Sequence, residues 1–137
     1  MVTIKSEREI ELMREAGKIL AKVHEELGKT VKPGISTKEI DRICEEMIRS
    51  YGCIPSFLGY EGYPASVCIS INDEVVHGIP NKHRYLNEGD IVSLAELVAK
   101  VVAGAALQRL AVLHHGFDGV GGLGTGKLFL VGLAALH

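Results

Sequence analysis

The chain has 137 residues, 47% hydrophobic and 23% charged, a size and composition that suit one globular domain with a buried core. Its formal net charge of -2 supplies no basic face to displace counterions, so neither nucleic acid nor an acidic membrane is an expected partner. Cys44, Cys53 and Cys68 are odd in number and form no CxxC pair, so neither a disulfide framework nor a structural zinc site is implied, and a reducing cytoplasm is expected.

The first stretch, MVTIKSEREIELM, is too charged for a signal peptide. Ser6 and Glu9 have capping-box spacing, and Ile10, Met13, Leu20, Val23 and Leu27 predict one apolar face of a long helix ending near Lys29. Its charged residues read as a solvated face. VKPG at 31–34 is a turn. Ser36 and Glu39 repeat the capping box before a second stripe, Ile40, Ile43, Cys44, Met47, Ile48 and Tyr51, which stops at Gly52. Cys44 on that stripe reads as core filling. The period then changes to short β-branched runs, VCISI at 67–71, VV at 75–76 and IVSL at 91–94, separated by IND, GIPN and NEGD turns. Two helices followed by antiparallel strands is an α+β order.

From Ala95 the character changes. Residues 95–137 hold two acids, Glu96 and Asp118, and three bases, Lys100, Arg109 and Lys127, in a setting of Ala, Leu, Val and Gly. Glu96, Lys100 and Gln108 fall on one i,i+4 row, with Gly104 between, which predicts a largely buried helix from 95 to about 113. HHGFDGVGGLGTGKL beyond it is glycine-rich loop. The apolar run 128–136 is far shorter than the roughly 20 residues of a membrane helix.

Candidate chemistry sits before Ala95. In FLGYEGYPASVCISINDEVVHGIP, residues 57–80, Tyr60 and Tyr63 occupy a loop bearing glycine and proline, where a large ring can line a pocket. A strand with Cys68 follows, and His77 closes the next short run before a Gly-Ile-Pro turn. An apolar pocket with one imidazole at its rim suits a small apolar ligand with a polar end. Spacing alone equally allows a structural loop in which His77 caps a turn. In the tail, His114, His115, Asp118 and His137 form a conceivable metal set, but adjacent histidines diverge and a glycine-rich segment fixes no geometry. GGLGTGK at 121–127 has P-loop spacing, yet Leu128 stands where a Ser or Thr should reach magnesium.

The helix pair, GYPASVCISINDEVVHGIP and LNEGDIVSL together resemble the amino-terminal half of a bacterial-type (type I) methionine aminopeptidase, over residues 1–94. The resemblance implies half of the pita-bread fold, two helices packed on an antiparallel sheet. It implies that Tyr60, Tyr63 and Cys68, with Phe57 beside them, line the pocket for the substrate's first methionine side chain, and that His77 contacts the scissile amide. The intact family removes the initiator methionine from the amino termini of nascent polypeptides, with two divalent metal ions (Co, Mn, Fe or Zn) activating water.

Two aspartates of that family's metal site fall here on Ala95 and Ala106. A one-residue shift along a strand turns a side chain to the other face, so Glu96 is no easy substitute. The family's remaining ligands, a histidine and two glutamates, belong to a second half for which this chain lacks the length. The expectation is therefore an amino-terminal half over 1–94 and a non-family tail over 95–137, helical or disordered and resembling out-of-frame translation. Such a chain has no catalytic or metal-binding residues, is inactive, and self-associates through exposed sheet. The alternative is a non-catalytic peptide- or partner-binding module of the same fold, with the tail a selected helix.

Overall fold

Helix α1 spans Glu7–Thr30 and opens with the predicted capping box: the Ser6 hydroxyl accepts from Glu9 N–H, and the Glu9 carboxylate accepts in return from Ser6 N–H at 2.7 Å. Helix α2, Thr37–Ser50, is capped by Ser36 in the same way, but its Glu39 carboxylate turns to Arg42 instead. In the computed structural model, residues 4–75, 77–100, 108–112, 116–117 and 129–132 are described.

Among the described residues six strands follow: β1 Cys53–Pro55, β2 Val67–Ile71, β3 Ile91–Lys100, β4 Gln108–Val112, β5 Gly116–Phe117 and β6 Phe129–Gly132. β3 is the central strand. Its first half pairs antiparallel with β2 and parallel with β6, and its second half pairs antiparallel with β1 and β4. β5 adds to β6. The expected architecture of two helices and a small antiparallel sheet is present.

The register sorts side chains by period two. Val67 and Ile69 of β2, with Val92 and Leu94 of β3, face the helices and close a core with Leu20, Val23 and Leu27 of α1 and Ile40, Cys44 and Ile48 of α2. Cys68 and Ser70 lie on the other face of β2, yet both are only 4% exposed. The Tyr60–Gly62 3-10 turn with its flanking loop, and the turn at 77–79, cover them.

Three expectations change. Ile10 and Tyr51, placed on the apolar stripes by spacing, are exposed, while Leu12 and Ala16 are buried instead. No strand forms at Val75, which is exposed; Asn72 and His77 take left-handed backbone, and Gly78 rather than Val75 lies along the edge of β2, its carbonyl accepting from Ile69 N–H at 2.8 Å. The predicted helix over 95–113 is also corrected. Ala95–Lys100 prolong β3 and residues 108–112 form β4, because partners on both edges of β3 satisfy its backbone groups, and sheet pairing overrides a weak helical propensity. Ala106, His114, His115, Asp118, His137 and the 121–127 loop lie outside the described residues.

Candidate functional site

Phe57, Tyr60, Tyr63, Cys68 and His77 converge on one cleft of about 460 Å³, completed by Glu61, Gly62, Pro64 and Ile79. All five residues singled out from the sequence are therefore neighbours in space, although they come from a loop, a strand and a turn. Phe57 and Tyr63 meet edge to face, ring centroids 6.2 Å apart, the arrangement that suits their quadrupoles. The Tyr63 hydroxyl donates towards the carbonyls of Val67 (3.2 Å) and Gly78 (3.3 Å). It thus ties the aromatic loop to the start of β2 and to the His77 turn. Burial, with the Cys68 side chain adding to it, pushes the phenol well above its ordinary pKa, so it stays a neutral donor.

Cys68 forms the floor. Its Sγ lies 3.7 Å from His77 Nδ1. Burial pushes the thiol up, partly opposed by the Tyr63 hydroxyl, so sulfur retains its proton near neutrality. His77 is at the rim, with a left-handed backbone (φ 58°) that costs a non-glycine residue of order 1–3 kcal/mol where the surroundings enforce it.

Gly78 enforces it. A Cβ there would stand 1.9 Å from the Ile69 carbonyl oxygen, so only glycine allows the turn this close to β2. Its N–H donates to Ser70 Oγ at 3.2 Å. The chain beyond is held by Thr37, whose hydroxyl donates to the Asn81 carbonyl and accepts from Asn81 N–H. Asp41 on α2, 3% exposed, accepts from the N–H groups of Ser66 and Val67 and from Lys38 Nζ, which fixes the first residues of β2. Sequence reasoning passed over Gly78, Asp41 and Ile79. The available signal for Asp41 was its position four residues after Thr37 and three before Cys44, on the buried side of α2.

Ala95 stands directly opposite Cys68 in the β2–β3 register, and Glu96 one position further, opposite Val67. A profile of metallopeptidase family M24 matches residues 11–126. The chain belongs to metallopeptidase family M24. It is 55% identical over 94 residues to a methionine aminopeptidase of Clostridium acetobutylicum, covering 69% of this chain and 38% of that protein. With the methionine aminopeptidase of Escherichia coli K12 it shares 41% identity over 132 residues, covering 96% of this chain and 43% of the relative. A crystal structure of methionine aminopeptidase from Rickettsia prowazekii superposes with a TM-score of 0.69 and 40% identity, over 72% of this chain and 39% of that one. The chain thus spans about two fifths of the length of the M24 relatives it matches. The alignments end at different points: some cover 94 residues, whereas the family profile continues to 126.

Membership of an M24 metallopeptidase family implies divalent metal in the intact enzyme. Ala95 offers a methyl group, which has no donor atom, and among the described residues no cluster of three or more His, Cys, Asp or Glu is placed to hold a metal ion.

Proposed function

We propose that this M24 chain carries the methionine-binding pocket of a type I methionine aminopeptidase and, in this form, binds a methionyl amino terminus without hydrolysing it. One observation carries the reading: Phe57, Tyr60, Tyr63, Cys68 and His77 line a single cleft. The apolar rings and the Cys68 sulfur suit a thioether side chain, and His77 at the rim suits the polar amide that follows. The family substrate, the amino terminus of a nascent polypeptide, is the corresponding ligand.

Absence of hydrolysis follows from chemistry. Without a carboxylate at 95, no cluster among the described residues beside Cys68 is placed to hold an ion that lowers the pKa of water or polarises a carbonyl. His77 as a lone general base offers typically about 10²- to 10⁴-fold acceleration, far short of peptide hydrolysis by a metalloenzyme. In this reading the family portion runs through Leu94 and the remainder is a frame-shifted tail, supported by the relatives that align over 94 residues and by the sparser charge after Leu94; the family match to residue 126 and the 132-residue alignment with the Escherichia coli relative count against it. Exposed sheet at the end of a half-fold favours self-association. A cytoplasmic setting agrees with three cysteines that form no disulfide.

A second reading is a selected, non-catalytic peptide-binding module. The observation favouring it is that the cleft residues converge while the position opposite Cys68 is alanine. The experiment is titration of the full chain with methionine amide and with a methionyl tripeptide, followed by NMR, beside an assay of methionine release with cobalt, manganese, zinc or iron(II). The proposal expects perturbation of the cleft residues and no release. No perturbation at tens of millimolar ligand would remove the pocket reading, and metal-dependent release would remove the claim of inactivity. The encoding nucleotides separate the two accounts of the tail: the frameshift account requires an alternative frame that places aspartate at 95 and at 106.

A further inference from the structure

We propose that Cys68 is a positioning residue for His77: its thiol donates to Nδ1 of the imidazole, which leaves the ring proton on Nε2, the nitrogen free to donate into the cleft. The Sγ to Nδ1 separation of 3.7 Å suits a hydrogen bond to sulfur, and Cys68 is only 4% exposed, so water has little access to the sulfur, while His77 itself is exposed at the rim. Burial keeps sulfur as a thiol, which is a weak donor and a poorer acceptor than a thiolate, while a neutral imidazole has one acceptor nitrogen to offer. The Tyr63 hydroxyl is directed towards the carbonyls of Val67 and Gly78. It is therefore not the proton donor that Nδ1 meets.

The backbone holds the pair in register. His77 is set by its left-handed backbone and by Gly78, whose approach to Ile69 leaves no room for a side chain. That backbone places the His77 Cα beside β2, and the contact with Cys68 Sγ is what the imidazole makes there. A ring held at Nδ1 presents Nε2–H in a fixed direction, as hydrogen bonding at one imidazole nitrogen assigns the task of the other. That Nε2–H meets a substrate amide rests on the function proposed above, but the tautomer itself does not.

The test is two-bond 15N–1H correlation NMR on the full chain, imidazole-labelled, at a pH above imidazole titration, with His77 assigned through His77→Gln. The expected wild-type pattern is a protonated Nε2 and an unprotonated Nδ1. Replacing Cys68 by Val removes the donor, and the Nδ1–H share should rise roughly 2- to 10-fold, the range that loss of one modest hydrogen bond allows. Cys68→Ser, which restores an O–H donor, should return the wild-type ratio. A merely space-filling cysteine predicts the opposite ranking, with Val tolerated and the ratio unchanged. Should Cys68→Val not fold, Cys68→Ala removes the donor without crowding and is read in the same way. A wild-type His77 protonated chiefly on Nδ1, or equal ratios in the wild type and in the donor-free variant, overturns the inference. If the tautomer behaves as expected while methionine amide leaves the His77 resonances unmoved, the positioning role is supported and the peptide-binding reading fails.

Discussion

Cys68 and Ala95 face each other across β2 and β3 as directly opposed residues, so a buried thiol and a bare methyl group meet where the aromatic cleft touches the sheet. Opposed residues have Cβ atoms about 4.5–5.5 Å apart. Any carboxylate at 95 would therefore border the cleft that His77 and Tyr63 line.

The first prediction concerns activity. Burying a methionine side chain contributes on the order of 1.5 to 3 kcal/mol, which corresponds at best to millimolar binding. No methionine should be released from a methionyl tripeptide above blank with any of the four metals. Ala95→Asp alone should not change this, since Ala106 still supplies no ligand. Release that requires metal and persists after rigorous removal of host aminopeptidase would refute it.

Two glycines should respond in opposite directions. Gly78→Ala puts a methyl group against the Ile69 carbonyl, so the turn must leave β2, costing roughly 1–3 kcal/mol and abolishing perturbation of His77 by methionine amide. Gly17, within α1, has open space around its Cα, and Gly17→Ala should stabilise by roughly 0.5–1 kcal/mol through helix propensity. Urea unfolding of both variants reads the contrast, and a destabilised Gly17→Ala would count against the description of α1.

Acid should loosen the junction of β2 and β3. Asp90 accepts from the backbone N–H of Asn87 at 2.7 Å and from Asn72 Nδ2 at 3.0 Å. These bonds, the Asn87 backbone first, hold its carboxyl below the ordinary range. A folded-state pKa below the unfolded value means the unfolded chain binds the proton more readily. The stabilisation is complete above the unfolded pKa of about 3.9 and is lost as pH falls through the lower folded value. Asp90→Asn should flatten the loss of stability in that acid window, measured by thermal unfolding; an unchanged pH profile would show that Asp90 does not carry it.

Cys68 should react slowly. Its thiol is pushed up chiefly by burial, so the thiolate fraction at neutral pH lies below that of a free cysteine, whose pKa is about 8.5. Alkylation by iodoacetamide, followed by mass spectrometry of the Cys68 peptide, should be slower than for free cysteine at pH 7. It should accelerate as pH rises past the ordinary thiol range, and methionine amide should protect it. Rapid alkylation at pH 7 would contradict a buried, protonated sulfur.

Both helices were legible in the sequence because their signals are local: Ser6 with Glu9, Ser36 before Thr37, and the apolar spacing of Leu20, Val23 and Leu27 depend on residues within one or two turns. The strand at 67–71 was legible for the same reason. The run misled at Val75, since its β preference is overridden by the left-handed turn at His77 and the approach of Gly78. The stretch after Ala95 misled as well, because an i,i+4 polar row looks helical until strands arrive on both edges of β3.

The five cleft residues were named from the motifs that resemble the methionine aminopeptidases, but their convergence was not readable from spacing. Composition, caps, periodicity and the identity of Ala95 are properties of the chain read residue by residue, and covalent order alone determines them, including the absence of a donor atom at 95. Only the tertiary structure decided that Cys68 lies opposite Ala95 and beside His77, and that Asp41 of α2 anchors β2. Those relationships join residues separated by 9 to 27 positions, and such separations are closed by packing of the apolar core and by sheet register, which no short window of sequence contains.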